Sequence, residues 1–154
     1  MNYYKDLSRF QNTQQEGYYS IGWLHPAKNF PTGEVNNELV SKLAQCIERE
    51  KVFLMRSGAS CFLVPCNGKP AEVKVDTKNS ILLSNHQIVS CEVWVPSHDF
   101  SKIYIAPSKI IHYILSHNYL PPKQFIDAVI AFDLTSTWSG SSEREKFTLQ
   151  NQHI

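Results

Sequence analysis

Residues 89–95 impose the first constraint on the fold. Val89, Cys91, Val93 and Val95 alternate with Ser90, Glu92 and Trp94. Side chains of a strand point to opposite faces with a period of two, so this segment demands a sheet with an apolar face that other elements must cover. Glu72-Val73-Lys74-Val75 alternates in the same way, and Ile81-Leu82-Leu83 and Lys102-Ile103-Tyr104-Ile105-Ala106 read as further strands. Tyr18-Tyr19-Ser20-Ile21-Gly22-Trp23-Leu24 is dense in aromatic and β-branched residues and reads as another. Cys61-Phe62-Leu63-Val64-Pro65 is a short apolar run, followed by a turn at Asn67-Gly68-Lys69-Pro70. Asn-Gly and Pro-Ser-His-Asp intervals supply the turns, so neighbouring strands are expected to run antiparallel.

The covering elements are also legible. Val35, Leu39, Leu43, Cys46 and Ile47 recur at helical steps between Val35 and Glu50, with Thr32 as N-cap and Glu34 near the positive end of the dipole. Pro107 suits the first position of a second helix, whose buried stripe is Ile110, Ile111, Ile114 and Leu115 and whose end falls near His117. Pro121-Pro122 stops and restarts the chain before Phe125, Ala128, Val129 and Phe132. The expected fold is α+β: an antiparallel sheet of four to six strands, one preceding helix, and a C-terminal helical hairpin. Residues 1–17 are expected as a partly ordered N-terminal arm, 18–134 as a single domain, and 135–154 as a polar C-terminal tail.

Composition narrows the function classes. With 154 residues, 42% of them hydrophobic, the chain can bury one core without disulfides or metals. Its formal charge of +1 argues against an electrostatic nucleic-acid binder or a polybasic membrane-surface protein. No run approaches the ~20 apolar residues of a bilayer span. Met1–Glu16 carries no apolar run of a secretory signal, so the expectation is a cytoplasmic protein with reduced thiols. Cys46 and Cys91 lie on apolar faces and read as small hydrophobes. No glycine-rich phosphate loop and no paired carboxylates are discernible.

Two stretches carry a resemblance. Gly22-Trp23-Leu24 with Phe30-Pro31-Thr32-Gly33-Glu34-Val35, then Tyr104-Ile105-Ala106-Pro107-Ser108, Ile111-His112-Tyr113-Ile114, His117, Tyr119, Pro121-Pro122 and Phe125-Ile126-Asp127-Ala128-Val129, resemble a family of small uncharacterised bacterial proteins. The resemblance covers roughly residues 18–132. It implies an architecture and a bacterial source rather than a reaction. Many members of that family carry a His and two closely spaced Cys in the middle. Here Ser57-Gly58-Ala59-Ser60-Cys61 contains no His, and four residues separate Cys61 from Cys66.

Three chemistries remain. Cys61-x4-Cys66 has nearly the spacing of a zinc knuckle, and His112 with His117 would complete a Cys2His2 set. However, five residues rotate about 140° around a helix, so the two imidazoles share a face only if the helix ends between them. The structural alternative makes Cys61 a core residue and His112 and His117 hydrogen-bonding ones. Thiol catalysis would use Cys61 or Cys66 with His112 and Asp127, but nothing local marks either thiol as activated. Surface recognition would use aromatic anchors in polar surroundings: Tyr3, Tyr4, and above all Tyr19, Trp94 and Trp138. The expected function is therefore a non-catalytic bacterial protein-recognition module. Its most concrete version is an immunity or antitoxin protein that masks a cognate toxin domain, with a protein partner and with no nucleic acid, membrane, cofactor or metal. The alternative is a small Cys/His metal-binding protein or thiol enzyme built on Cys61, Cys66, His112 and His117.

Overall fold

Strand β5 (Ile88–Pro96) is the centre of the molecule and realises the alternation of residues 89–95. It pairs antiparallel with β6 (Ile103–Pro107) on one side and with β2 (Val52–Ala59) on the other. Strand β1 (Tyr18–Ser20) joins the far edge of β6, giving the order β1-β6-β5-β2. The computed structural model describes residues 3–59, 61–63, 66, 71–74, 80–83 and 88–151. The turn expected at Asn67–Pro70 lies outside them.

The protein is α+β, but its main sheet is mixed rather than antiparallel. β1 runs parallel to β6, with Tyr18 opposite Ile103 and Ser20 opposite Ile105. A tight turn can impose antiparallel pairing only on strands adjacent in sequence. Most of the chain separates β1 from β6, so turn signals carried no information about this pair. The strand also stops early. Gly22 adopts a positive φ of 74°, and its amide donates to Asp6 Oδ1 at 2.9 Å, ending the extended run before Trp23. β3 (Ala71–Lys74) and β4 (Ser80–Leu83) form a separate two-stranded antiparallel ladder.

Helix α1 (Asn37–Arg49) starts later than its apolar spacing suggests. Asn36 rather than Thr32 is the N-cap, its side chain accepting from the Glu38 amide at 2.8 Å. Thr32 instead bridges Tyr119. Pro107 closes β6 opposite Glu92, and α2 (Ile110–His117) begins three residues later. Leu115, expected in its buried stripe, is 40% exposed. Helix α3 (Lys123–Ala131) buries Phe125, Ala128 and Val129. These helices cover the Cys91–Val93–Val95 face, forming a core with Leu43, Ile111 and Tyr119.

The opposite face is where sequence and structure part. Glu92 and Trp94 lie on the polar side of the alternation in residues 89–95, yet both are buried. The covering residues come from the two terminal segments. Phe10, in a single 3-10 turn at residues 10–12, is 1% exposed. Phe147 is 3% exposed on α4 (Gly140–Asn151), a helix where a loose polar tail was expected. Their rings meet at 5.5 Å and contact Trp94 at 5.8 and 6.2 Å. Polar termini concealed this second core because one aromatic residue in each carries most of its contact. No helix among the described residues is long and apolar enough to cross a membrane.

Candidate metal centre

Helix α2 is oriented by Ile110 and Ile111, both buried in the main core. That orientation fixes His112, itself 2% exposed, and places His117 on the final residue of the helix. The segment leaving β2 lays Cys61 and Cys66 against the same helix. Cys61 Sγ lies 3.4 Å from His117 Nε2, and Cys66 Sγ lies 3.5 Å from His112 Nε2. One ligand atom from each of the four residues falls within 4.8 Å of every other.

The expected 140° separation of the imidazoles is overcome at the helix end. The Asn118 amide donates to the Tyr113 carbonyl five residues back, and the Tyr119 amide reaches the same carbonyl from six residues on. A bond spanning five residues rather than four widens the last turn, lowers the rotation per residue and so brings its final side chain back toward the face of His112. Asn118, at φ 55°, then leaves in the left-handed conformation that asparagine tolerates. The two imidazole centroids are consequently 5.2 Å apart, edge to face.

The two S···N separations approach the edge of a known coordination polyhedron. For Zn–S near 2.3 Å and Zn–N near 2.05 Å, a tetrahedron has S···N edges of about 3.6 Å, an N···N edge of about 3.3 Å and an S···S edge of about 3.8 Å. The two observed S···N distances lie within about 0.2 Å of that edge. Local electrostatics suit the donor set. Burial, then the neighbouring His117 and Lys109, holds His112 below the ordinary imidazole value, and burial does the same to His117. Both rings are thus kept neutral, the form that offers a lone pair. Burial pushes the Cys61 thiol up, with Cys66 adding to the shift and Lys109 opposing it. A divalent ion would supply the charge that lets both thiols ionise together.

The other sequence candidates lie elsewhere. Asp127, the carboxyl of the thiol-enzyme reading, pairs instead with Lys123 on the exposed face of α3 at 2.7 Å and, among the described residues, makes no hydrogen bond to either imidazole. Trp94 is 4% exposed in the second core, its indole N–H donating to Glu92 Oε1 at 3.0 Å. Tyr19 is half-buried beside Tyr104, and Trp138 is half-buried against Phe132. Cys46 and Cys91 are buried, as expected of small hydrophobes. Sequence reasoning missed Lys109 and Phe62, whose cation–π contact at 5.2 Å flanks the thiols. Lys109 stands three residues before His112, a spacing that puts both on one side of a helical turn.

The family described as Domain of unknown function (DUF7919) matches residues 2–130. The chain belongs to this family. No curated protein and no solved structure matches the chain. The DUF7919 region begins in the N-terminal segment, takes in all four candidate Cys and His ligands, and stops within α3, before α4 and Phe147. It agrees with the resemblance to an uncharacterised family drawn from the sequence.

Proposed function

We propose that this DUF7919 protein binds one zinc ion through Cys61, Cys66, His112 and His117, as a closed structural site that clamps the segment after β2 onto α2. The observation that carries this reading is the convergence of two thiols and two imidazoles, contributed by segments about fifty residues apart, with every ligand atom within 4.8 Å of the others and two S···N distances close to a tetrahedral edge. Four protein donors fill a tetrahedron and leave no position for a substrate or an activated water, which favours a structural over a hydrolytic role. Two thiolates and two neutral imidazoles also neutralise Zn2+, so the buried side of the cluster carries no net charge into the core.

Metal analysis of protein purified without a histidine tag tests the proposal. One zinc per chain is expected, falling well below stoichiometry in both Cys61→Ser and His112→Ala, with folded protein confirmed by circular dichroism. Stoichiometric zinc retained by both variants would refute it. Recognition of a cognate toxin is a separate proposal with less support, because Trp94 is buried and Tyr19 and Trp138 are each packed against a neighbouring ring.

A further inference from the structure

Cys61 and Cys66 are placed for a second chemistry besides ligation. Their Sγ atoms lie within 4.8 Å of each other. A disulfide bond is about 2.05 Å long, so a closing movement of under about 3 Å joins them. Both belong to the segment leaving β2, where the described residues form neither helix nor strand. No ladder or helical bond among those residues therefore holds the two thiols apart. Both side chains are half-buried and open to a small oxidant, whereas Cys46 and Cys91 are 5% and 6% exposed in the main core and stand outside the cluster.

Ligation and oxidation compete for the same sulfur electrons. Two thiolates neutralise a divalent ion, but a disulfide sulfur carries no charge and is a poor donor. Oxidation would leave only His112 and His117, two neutral rings that cannot balance the ion's charge beside a buried helix. Topology enlarges the consequence. In the reduced state Cys61 meets His117 across 56 residues of chain and Cys66 meets His112 across 46, tying the segment after β2 to α2. A Cys61–Cys66 disulfide closes a loop within that segment alone and ties it to nothing else.

We propose that Cys61 and Cys66 form a reversible oxidation switch, in which a peroxide joins them as an intramolecular disulfide, the site loses its ion and the segment is released from α2. The inference rests on the zinc reading above and adds the regulation of that site. One thiolate attacks hydrogen peroxide, forming an S–O bond as the O–O bond breaks and hydroxide leaves. The second thiolate attacks the resulting sulfenic acid, forming the S–S bond and releasing a second hydroxide. The two sulfurs give up two electrons to the O–O bond, two protons from solvent turn both hydroxides into water, and Zn2+ departs in its original oxidation state.

Peroxide treatment of zinc-loaded protein without a histidine tag tests the switch. Zinc release is followed with a chromogenic chelator, thiols are counted under denaturing conditions, and disulfides are located by peptide mass mapping. One zinc released per two thiols lost is expected, with a single Cys61–Cys66 disulfide and faster hydrogen exchange in α2. A dithiol added with zinc should restore the starting state. Cys46→Ala and Cys91→Ala, which alter buried thiols outside the cluster, should keep the same stoichiometry. Zinc retained at a peroxide dose that fully oxidises a small dithiol would overturn the proposal. So would zinc loss with both thiols converted to sulfinic acid, or with disulfides that involve other cysteines or join two chains. Metal content measured before oxidation separates the two readings. Protein that takes up no zinc refutes the metal centre, and the peptide map of the reduced, metal-free chain then decides the pairing, its lack of a Cys61–Cys66 disulfide after peroxide refuting the switch.

Discussion

Removing zinc should lower thermal stability by an amount that can be estimated. A ligand bound only to the folded state stabilises it by RT ln(1 + [L]/Kd), about 2.7 kcal/mol at a hundredfold excess over Kd and about 4.1 kcal/mol at a thousandfold. Each kcal/mol moves Tm by about 2–4 °C in a chain of this size. Chelation of zinc-loaded protein should therefore depress Tm by roughly 5–16 °C. The loss should fall short of the complete unfolding seen in zinc-finger peptides, because both cores here are built from residues that need no metal. The assay is differential scanning calorimetry with and without a strong chelator, followed by readdition of stoichiometric zinc. Because the four donors act as a unit, Cys61→Ser and His117→Ala should each abolish most of the chelator effect, and the double variant should lose little more. An unchanged Tm after verified metal depletion would refute the clamp, and so would a chelator shift that persists in both single variants.

Three further outcomes follow from the scaffold. Glu50 ends α1 and accepts from Ser139 Oγ at 2.6 Å and the Gly140 amide at 2.6 Å, holding the start of α4. Burial pushes its carboxyl up, but the donors of Ser139, Gly140 and Ser141 outweigh this and hold it below its usual value of 4.5. The unfolded chain therefore binds the proton more readily, so this stability is present above pH 4.5 and lost as pH falls through the folded value. Glu50→Gln should cost about 1–2 kcal/mol at neutral pH and flatten the acid limb of urea midpoints; an unchanged limb would refute the role. Phe147→Ala should cost about 3–5 kcal/mol in urea unfolding, whereas a loss under 1 kcal/mol would mean that α4 is a tail after all. Gly140→Ala would place a methyl 2.8 Å from Trp94 Cβ and 3.0 Å from Val52 Cγ2, so it should destabilise by about 1–3 kcal/mol; a neutral or stabilising result in the same assay would contradict the tight seating of α4 on the sheet.

Local periodicity reached most of the elements because their faces are determined by neighbours a few residues away. Cys91, Val93 and Val95 on β5, and Phe125, Ala128 and Val129 on α3, lie where their spacing put them. The parallel β1–β6 pairing was beyond such reasoning, since register between strands more than eighty residues apart depends on the whole topology. The second core failed for a related reason. Phe10 and Phe147 are isolated apolar residues in polar segments, and only the sheet face between them shows that each has somewhere to go. All four metal-ligand candidates were named from residue type, but the imidazole pair was discounted by regular helix geometry. The widened turn at Tyr113–Tyr119 is set by long-range packing of Tyr119, whose hydroxyl donates to Asp6 Oδ2 at 2.7 Å. No pattern within α2 announces it.

X-ray absorption at the zinc edge of the purified protein addresses the coordination itself. Two sulfur scatterers near 2.3 Å and two nitrogen scatterers near 2.0–2.1 Å are expected for the set Cys61, Cys66, His112 and His117. A first shell of oxygen and nitrogen alone would contradict the account, because it would place the metal away from both thiols.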